Sequence, residues 1–184
     1  MKRIVFVLPI VFLLIVGVVS LIQLSKPPES KATLFTGKPR PAPMVTLETL
    51  EGGTFKMADH LGKPMIVNIW ATWCAPCKIE HPVLLDMSET LPIVGLSYKD
   101  KPEDIRALLS QEGDPFAHHP LDQDGQTSLG FGLASVPETF LIDAEGTIVR
   151  HHKGVITPDE AAIFLAAYDA LNEQAQGNEV EKES

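Results

Sequence analysis

The stretch Asn68-Ile69-Trp70-Ala71-Thr72-Trp73-Cys74-Ala75-Pro76-Cys77-Lys78-Ile79-Glu80-His81-Pro82 joins an apolar strand to a Cys-x-x-Cys and then to a helix, and it holds both cysteines of the chain. Two cysteines so spaced at a helix start can close a small disulfide. The first lies where unpaired backbone N–H groups and the positive end of the helix dipole favour a thiolate. The spacing therefore predicts Cys74 as the attacking thiol and Cys77, one turn deeper, as the resolving thiol. Pro76 between them suits a first helical turn, where a missing N–H costs nothing and the fixed φ is already helical.

Other uses of a Cys-x-x-Cys fit less well. A structural zinc site needs about four ligands, usually including a second Cys pair or a closely spaced His pair. No further cysteine exists, and His118-His119 and His151-His152 are adjacent pairs, which a strand points to opposite faces. Covalent c-type haem attachment wants His directly after the second Cys, where Lys78 stands. A peroxidatic thiol in the peroxiredoxins usually has Thr three residues upstream, where this chain has Ala71. An inert structural disulfide is the plainest alternative, but a loop this short constrains the unfolded chain little.

Trp70 to Lys78, with Pro82 five residues after the second Cys, resembles the thioredoxin superfamily. Glu80 and the later Val136-Pro137-Glu138-Thr139-Phe140-Leu141-Ile142-Asp143 resemble, more narrowly, the CcmG/DsbE group of membrane-anchored thiol:disulfide interchange proteins of cytochrome c maturation. The resemblance runs from about Pro43 to Leu171. It implies an α/β, thioredoxin-like fold: a mixed central sheet flanked by helices, with an N-terminal β-hairpin and a central helix-strand insertion. It also implies a protein-disulfide reductase that works without a cofactor. By the same resemblance Pro137 corresponds to the cis-proline that faces the Cys-x-x-Cys, and Trp73, Val136 and Pro137 receive an extended client peptide. The implied partners are apocytochrome c as client, a membrane thiol electron donor of the CcdA/DsbD type, and the bacterial inner membrane; a monomer is expected.

Two departures qualify this. A buried acid that serves as proton acceptor beneath the thiols often occupies the place of Asn68, so Glu80 and Glu138 are expected to assume that role. Ser135 stands where the group often has the second glycine of Gly-Val-x-Gly, which leaves the client less defined. A general or sporulation-type thiol reductase, and a non-enzymatic module that binds apocytochrome, are the rival readings.

Length and charge set the frame. The chain has 184 residues, 45% of them hydrophobic, enough for one well-cored domain and an appendage. Lys2 and Arg3 are the only charges in the first 24 residues, so the remainder carries 13 basic and 24 acidic residues, which argues against nucleic acid as a partner. Residues 1–24 read as an uncleaved transmembrane anchor: the apolar run from Ile4 to Leu24 spans roughly 30 Å as a helix, and the basic residues before it keep the N-terminus cytoplasmic and the rest periplasmic. The proline-bearing stretch 25–43 reads as a semi-rigid spacer, with Phe35 a candidate for docking onto the domain. The domain itself is expected over 44–172.

Within it, Val45–Glu48 and Thr54–Met57 flank Gly52-Gly53 as a hairpin. Met65–Trp70 and Ile93–Tyr98 read as buried strands. The helix from Ala75 is expected to reach about Glu89, kinked at Pro82, with His81 at its surface. Lys101–Gln111 reads as a helix, Phe116–Leu121 as a short strand, Asp122–Gln126 as a solvated turn and Gln126–Leu133 as a short helix. Glu138–Ile142 and Thr147–His152 form a second hairpin. Thr157-Pro158-Asp159-Glu160 opens a helix through about Leu171, with Ile163, Phe164, Leu165 and Tyr168 inside, before a frayed, disordered acidic tail over 173–184.

Overall fold

The computed structural model describes residues 34–35 and 38–182; the anchor expected over 1–24 and most of the spacer lie outside them. Among the described residues no helix is long and apolar enough to cross a membrane.

Among the described residues nine strands and four α-helices follow in the order β1 (Leu34–Phe35), β2 (Arg40–Pro41), β3 (Thr46–Glu48), β4 (Thr54–Lys56), β5 (Met65–Trp70), α1 (Ala75–Ser88), β6 (Ile93–Tyr98), α2 (Pro102–Glu112), β7 (Leu121–Asp122), α3 (Gln126–Gly130), β8 (Glu138–Ile142), β9 (Thr147–Lys153) and α4 (Pro158–Lys182). The main sheet runs β1-β9-β8-β5-β6-β7, with β2 also paired to β9; β3 and β4 form a separate antiparallel pair. β5 lies parallel to β6 and antiparallel to β8. All six residues of β5 are buried, as its unbroken apolar run requires of a central strand covered on both faces.

The pleat sorts the core into two halves. Ile66, Trp70 and Leu141 pack with Leu84, Met87 and Phe164 from α1 and α4 on one face. Val67, Ile69 and Phe140 pack with Phe55 and Phe131 on the other. The mixed sheet of the expected thioredoxin-like fold is thus covered by helices α1 and α4 on one face, while on the other the β3-β4 pair joins Phe131 at the end of α3 as cover.

Several local expectations are corrected. The spacer ends before Pro43: β1, which includes the Phe35 expected to dock, and β2 both pair with β9, and Ala42 is buried with its N–H donated to Gly146 O, so the chain joins the domain ahead of the expected boundary. The strand expected at Phe116–Leu121 shrinks to a bridge at His118 and the two-residue β7, while Phe116 turns its ring inward against Trp70, centroids 5.0 Å apart. Asp122 is no solvated turn residue. It is buried and accepts the N–H groups of Thr127 and Ser128 at 3.2 and 2.7 Å, capping α3. Helix α4 opens on a capping box between Thr157 and Glu160 and presents Ala161, Phe164 and Tyr168 to the core. Ile163 falls outside that phase and is 37% exposed, not inside. The tail expected to fray from Glu173 is helical to Lys182, because Glu173-Gln174-Ala175-Gln176 are good helix formers and Ala175 is buried.

Gly95 on β6 meets the Phe116 ring face to face with its backbone: a Cβ there would stand 2.4 Å from Cγ of that ring. Gly95→Ala should therefore destabilise the domain by about 1–3 kcal/mol through overpacking. Urea unfolding checks it, and an unchanged midpoint would show that the ring yields freely.

Candidate active site

Strand β5 delivers the chain to its C-terminal edge, where the Thr72-Trp73 loop is pinned before the helix begins. The buried Asp100 carboxylate accepts the Thr72 N–H and the Thr72 hydroxyl, and the Trp73 indole N–H is donated to Lys99 O at 3.3 Å. Lys99 itself holds φ +48°, a left-handed value uncommon outside glycine. Neither residue was legible as part of the site. The one signal in the sequence is a short polar run, Lys99-Asp100-Lys101, directly after a buried strand.

Cys74 occupies the N-cap of α1, and its Sγ accepts the Cys77 N–H at 3.1 Å. An N–H aimed at this sulfur favours its thiolate over that of Cys77. The two cysteines form a disulfide with Cα atoms 5.3 Å apart, and both side chains are nearly buried. Trp73 and Ile79, on either side of the pair in sequence, are exposed apolar side chains at 58% and 69%, while the disulfide itself is recessed.

The Val136–Pro137 peptide is cis. Ile69 on β5 pairs with Glu138 on β8, so Pro137 lies just beyond the end of that pairing, at the same sheet edge as the turn into Cys74. Val136 packs against the core cluster that contains both cysteines.

The two acids are fully buried, and the pleat separates them. Glu138 lies on the face of Ile69 and Phe140. Its Oε1 accepts the N–H groups of Ala134 and Ser135 at 3.0 and 3.3 Å, and its Oε2 meets His151 Nε2 at 2.6 Å. Burial pushes its carboxyl up, but the bond to His151 and the two backbone N–H groups outweigh that and hold it below the ordinary value. Glu138 is thus the ionised anchor of the loop that carries the cis-proline.

Glu80 lies on the other face, under α1. Its Oε1 accepts from Asn68 Nδ2 at 2.8 Å and its Oε2 from the Ile156 N–H at 2.9 Å. Burial drives its pKa up to about 7 against those two bonds, and the Glu160 charge adds to the rise. Of the two candidates only Glu80 therefore stands over Asn68. The histidines follow the same alternation: His151 serves Glu138, while His152, on the Glu80 face, has Nε2 3.1 Å from Val155 O and 3.6 Å from Glu160 Oε2. His81, expected at the surface, is buried with Nε2 3.0 Å from Gly113 O, where it ties α1 to the end of α2.

Residues 39–151 match the AhpC/TSA family. The chain belongs to that family. Within it, the thiol:disulfide interchange protein DsbE of Pseudomonas fluorescens biotype C is 38% identical over 182 residues, 96% of this chain and 99% of its own. DsbE of Escherichia coli K12 is 37% identical over 167 residues, covering 86% and 89%. A crystal structure described as a DsbE-type thiol:disulfide interchange protein from Chlorobium tepidum superposes with a TM-score of 0.63 at 27% identity, over 73% of this chain and 98% of that one. This chain is accordingly a thiol-disulfide exchange enzyme, with Cys74 and Cys77 as its Cys-x-x-Cys pair.

A carboxyl raised by folding binds its proton more tightly in the folded than in the unfolded chain. Stability is therefore greatest below the ordinary Glu value of 4.5 and is lost as pH climbs to about 7, by an amount on the order of 3 kcal/mol for Glu80 alone. Glu80→Gln should remove this loss, leaving a flatter curve of urea midpoint against pH over that window. Parallel curves for the two proteins would mean that Glu80 titrates normally.

Proposed function

We propose that this enzyme is anchored in the bacterial inner membrane by residues 1–24, faces the periplasm, and reduces the disulfide of apocytochrome c before haem attachment. The observation that carries the reductive reading is Glu80: a buried carboxyl with a pKa of about 7, three residues after the resolving cysteine on the same helix. Helical spacing sets Glu80 and Cys77 on one face. The run from Ile4 to Leu24 behind Lys2-Arg3 supports the anchor, and the resemblance to the CcmG/DsbE group supports the client.

The chemistry begins with the dithiol form. The Cys74 thiolate, favoured by its N-cap position and the Cys77 N–H, attacks one sulfur of the client disulfide; a Cys74–client bond forms and the client's own S–S bond breaks. The Cys77 thiol then gives its proton to Glu80 and attacks Cys74 Sγ. The Cys74–Cys77 bond forms, the client leaves as a thiolate that takes up a proton, and two electrons have passed from enzyme to client. Glu138 keeps the cis-Pro137 loop in place for an extended client strand to pair beside Val136, while Trp73 offers an exposed apolar side chain. Regeneration needs a membrane thiol donor of the CcdA/DsbD type, because an oxidising compartment cannot supply the dithiol.

Cys77→Ser, expressed as the full chain, should accumulate mixed disulfides with apocytochrome c, and Cys74→Ser should accumulate none. External protease should remove the domain from spheroplasts of the same cells. Trapping by Cys74→Ser would reverse the thiol roles, clients lacking a haem-binding Cys pair would replace apocytochrome, and a protected domain would defeat the topology.

A further inference from the structure

Asn68 stands where a buried acid would serve the thiols directly, and its hydrogen bonds suggest why an amide suits the place. Its Nδ2 donates to Glu80 Oε1 at 2.8 Å and to Thr139 Oγ1 at 3.1 Å. Its Oδ1 is buried without a hydrogen-bond partner among the described residues. Asn68, Glu80 and Thr139 are all 0% exposed, and strand register sets Asn68, Thr139 and His152 side by side across β5, β8 and β9.

Glu80 can gain its proton comfortably at one oxygen only. Oε2 accepts the Ile156 backbone N–H, a donor that cannot become an acceptor, and a hydroxyl oxygen is the poorer acceptor. The proton therefore belongs on Oε1. There, however, the amide presents an N–H, which suits the carboxylate and opposes the acid.

We propose that Asn68 is a positioning residue whose side-chain amide reverses as Glu80 changes protonation state, with the Thr139 hydroxyl reversing beside it. When Glu80 is ionised, Nδ2 donates to Oε1 and to Thr139. Once Oε1 carries a proton, it donates to Oδ1, and the Thr139 O–H turns to donate to Oδ1 as well. The oxygen and nitrogen ends of an amide have nearly the same shape, so the half-turn requires no new space, and a hydroxyl serves as donor or acceptor by rotation alone. Both charge states of Glu80 then keep two hydrogen bonds to its carboxyl, and the cost of about 1–3 kcal/mol for an unmet polar group stays at the far end of the amide, on Oδ1 when Glu80 is ionised and on Nδ2 when it is neutral. The cluster thus lets one carboxyl act first as base and then as acid.

The titratable groups that face this cluster are Cys77 from α1, His152 from β9 and Glu160 from α4. In the disulfide form Cys77 does not titrate, which removes the thiol from the readout. The inference rests on Glu80 as the proton acceptor of exchange, and the two can fail separately.

The test is NMR on the oxidised full-length protein in detergent, following the Glu80 carboxyl carbon and the Asn68 side-chain amide against pH. Expected is a movement of the Asn68 Nδ2 signals with the same midpoint as Glu80. In Asn68→Leu, which is close in size and makes no hydrogen bonds, Glu80 should titrate at higher pH than in the wild type, because the charge-assisted bond lost by the carboxylate is stronger than the neutral bond lost by the acid. Asn68 signals that stay flat while Glu80 titrates would overturn the reversal and leave the role of Glu80 intact. An exchange pH profile unchanged by Glu80→Gln would end that role while leaving a coupled Asn68 titration to stand. A Glu80 signal that shows no titration would end both. Should Asn68→Leu fail to fold, the wild-type titration alone decides.

Discussion

The buried Glu80 carboxylate joins three pieces of chain that no local rule brings together: the central strand through Asn68, its own helix α1, and the approach to α4 through the Ile156 N–H. A buried acid is tolerated only when its lone pairs are met, and both oxygens of Glu80 are met. The bond to Ile156 bridges 76 residues and ties α4 to α1, so the helix that carries Cys77 and the cover over its buried face are located by one side chain. The same burial lifts the carboxyl to about 7, which places its charge change where thiol chemistry operates.

The sheet pleat then divides labour. On the α1 and α4 face, Asn68, Thr139 and His152 form a polar row that serves Glu80. On the hairpin face, Glu138 and His151 hold the loop before the cis-proline, with the His151 ring stacked on Phe140 at 4.1 Å. Adjacent residues, Glu138 with Thr139 and His151 with His152, serve different tasks because strand side chains alternate. The turn before Cys74 is held by a third device, the Asp100 and Lys99 clamp on Thr72 and Trp73.

Much of this was legible because it is local. The Cys-x-x-Cys at a helix start, the apolar run of β5, the proline before β8 and the Thr157 capping box each announce themselves within a few residues. Burial of polar side chains was not legible, since it depends on partners far along the chain: His81 reads as a surface residue until Gly113, 32 residues away, meets it. Glu80 and Glu138 looked equivalent because sequence spacing does not say which face of the sheet each acid joins. Asp122 and the helix beyond Glu173 were misjudged for a related reason: polar composition suggests solvent unless a cap or a buried Ala175 intervenes.

The central claim is that the proton of exchange passes to Glu80. It is tested most directly by stopped-flow measurement of client release from a preformed Cys74 mixed disulfide, in the wild type and in Glu80→Gln, at pH values spanning the Glu80 titration at about 7. The account predicts a wild-type rate that rises through that midpoint, and a variant that is slower and has lost the midpoint, following only the thiol's own ionisation. Identical profiles in the two proteins would contradict it.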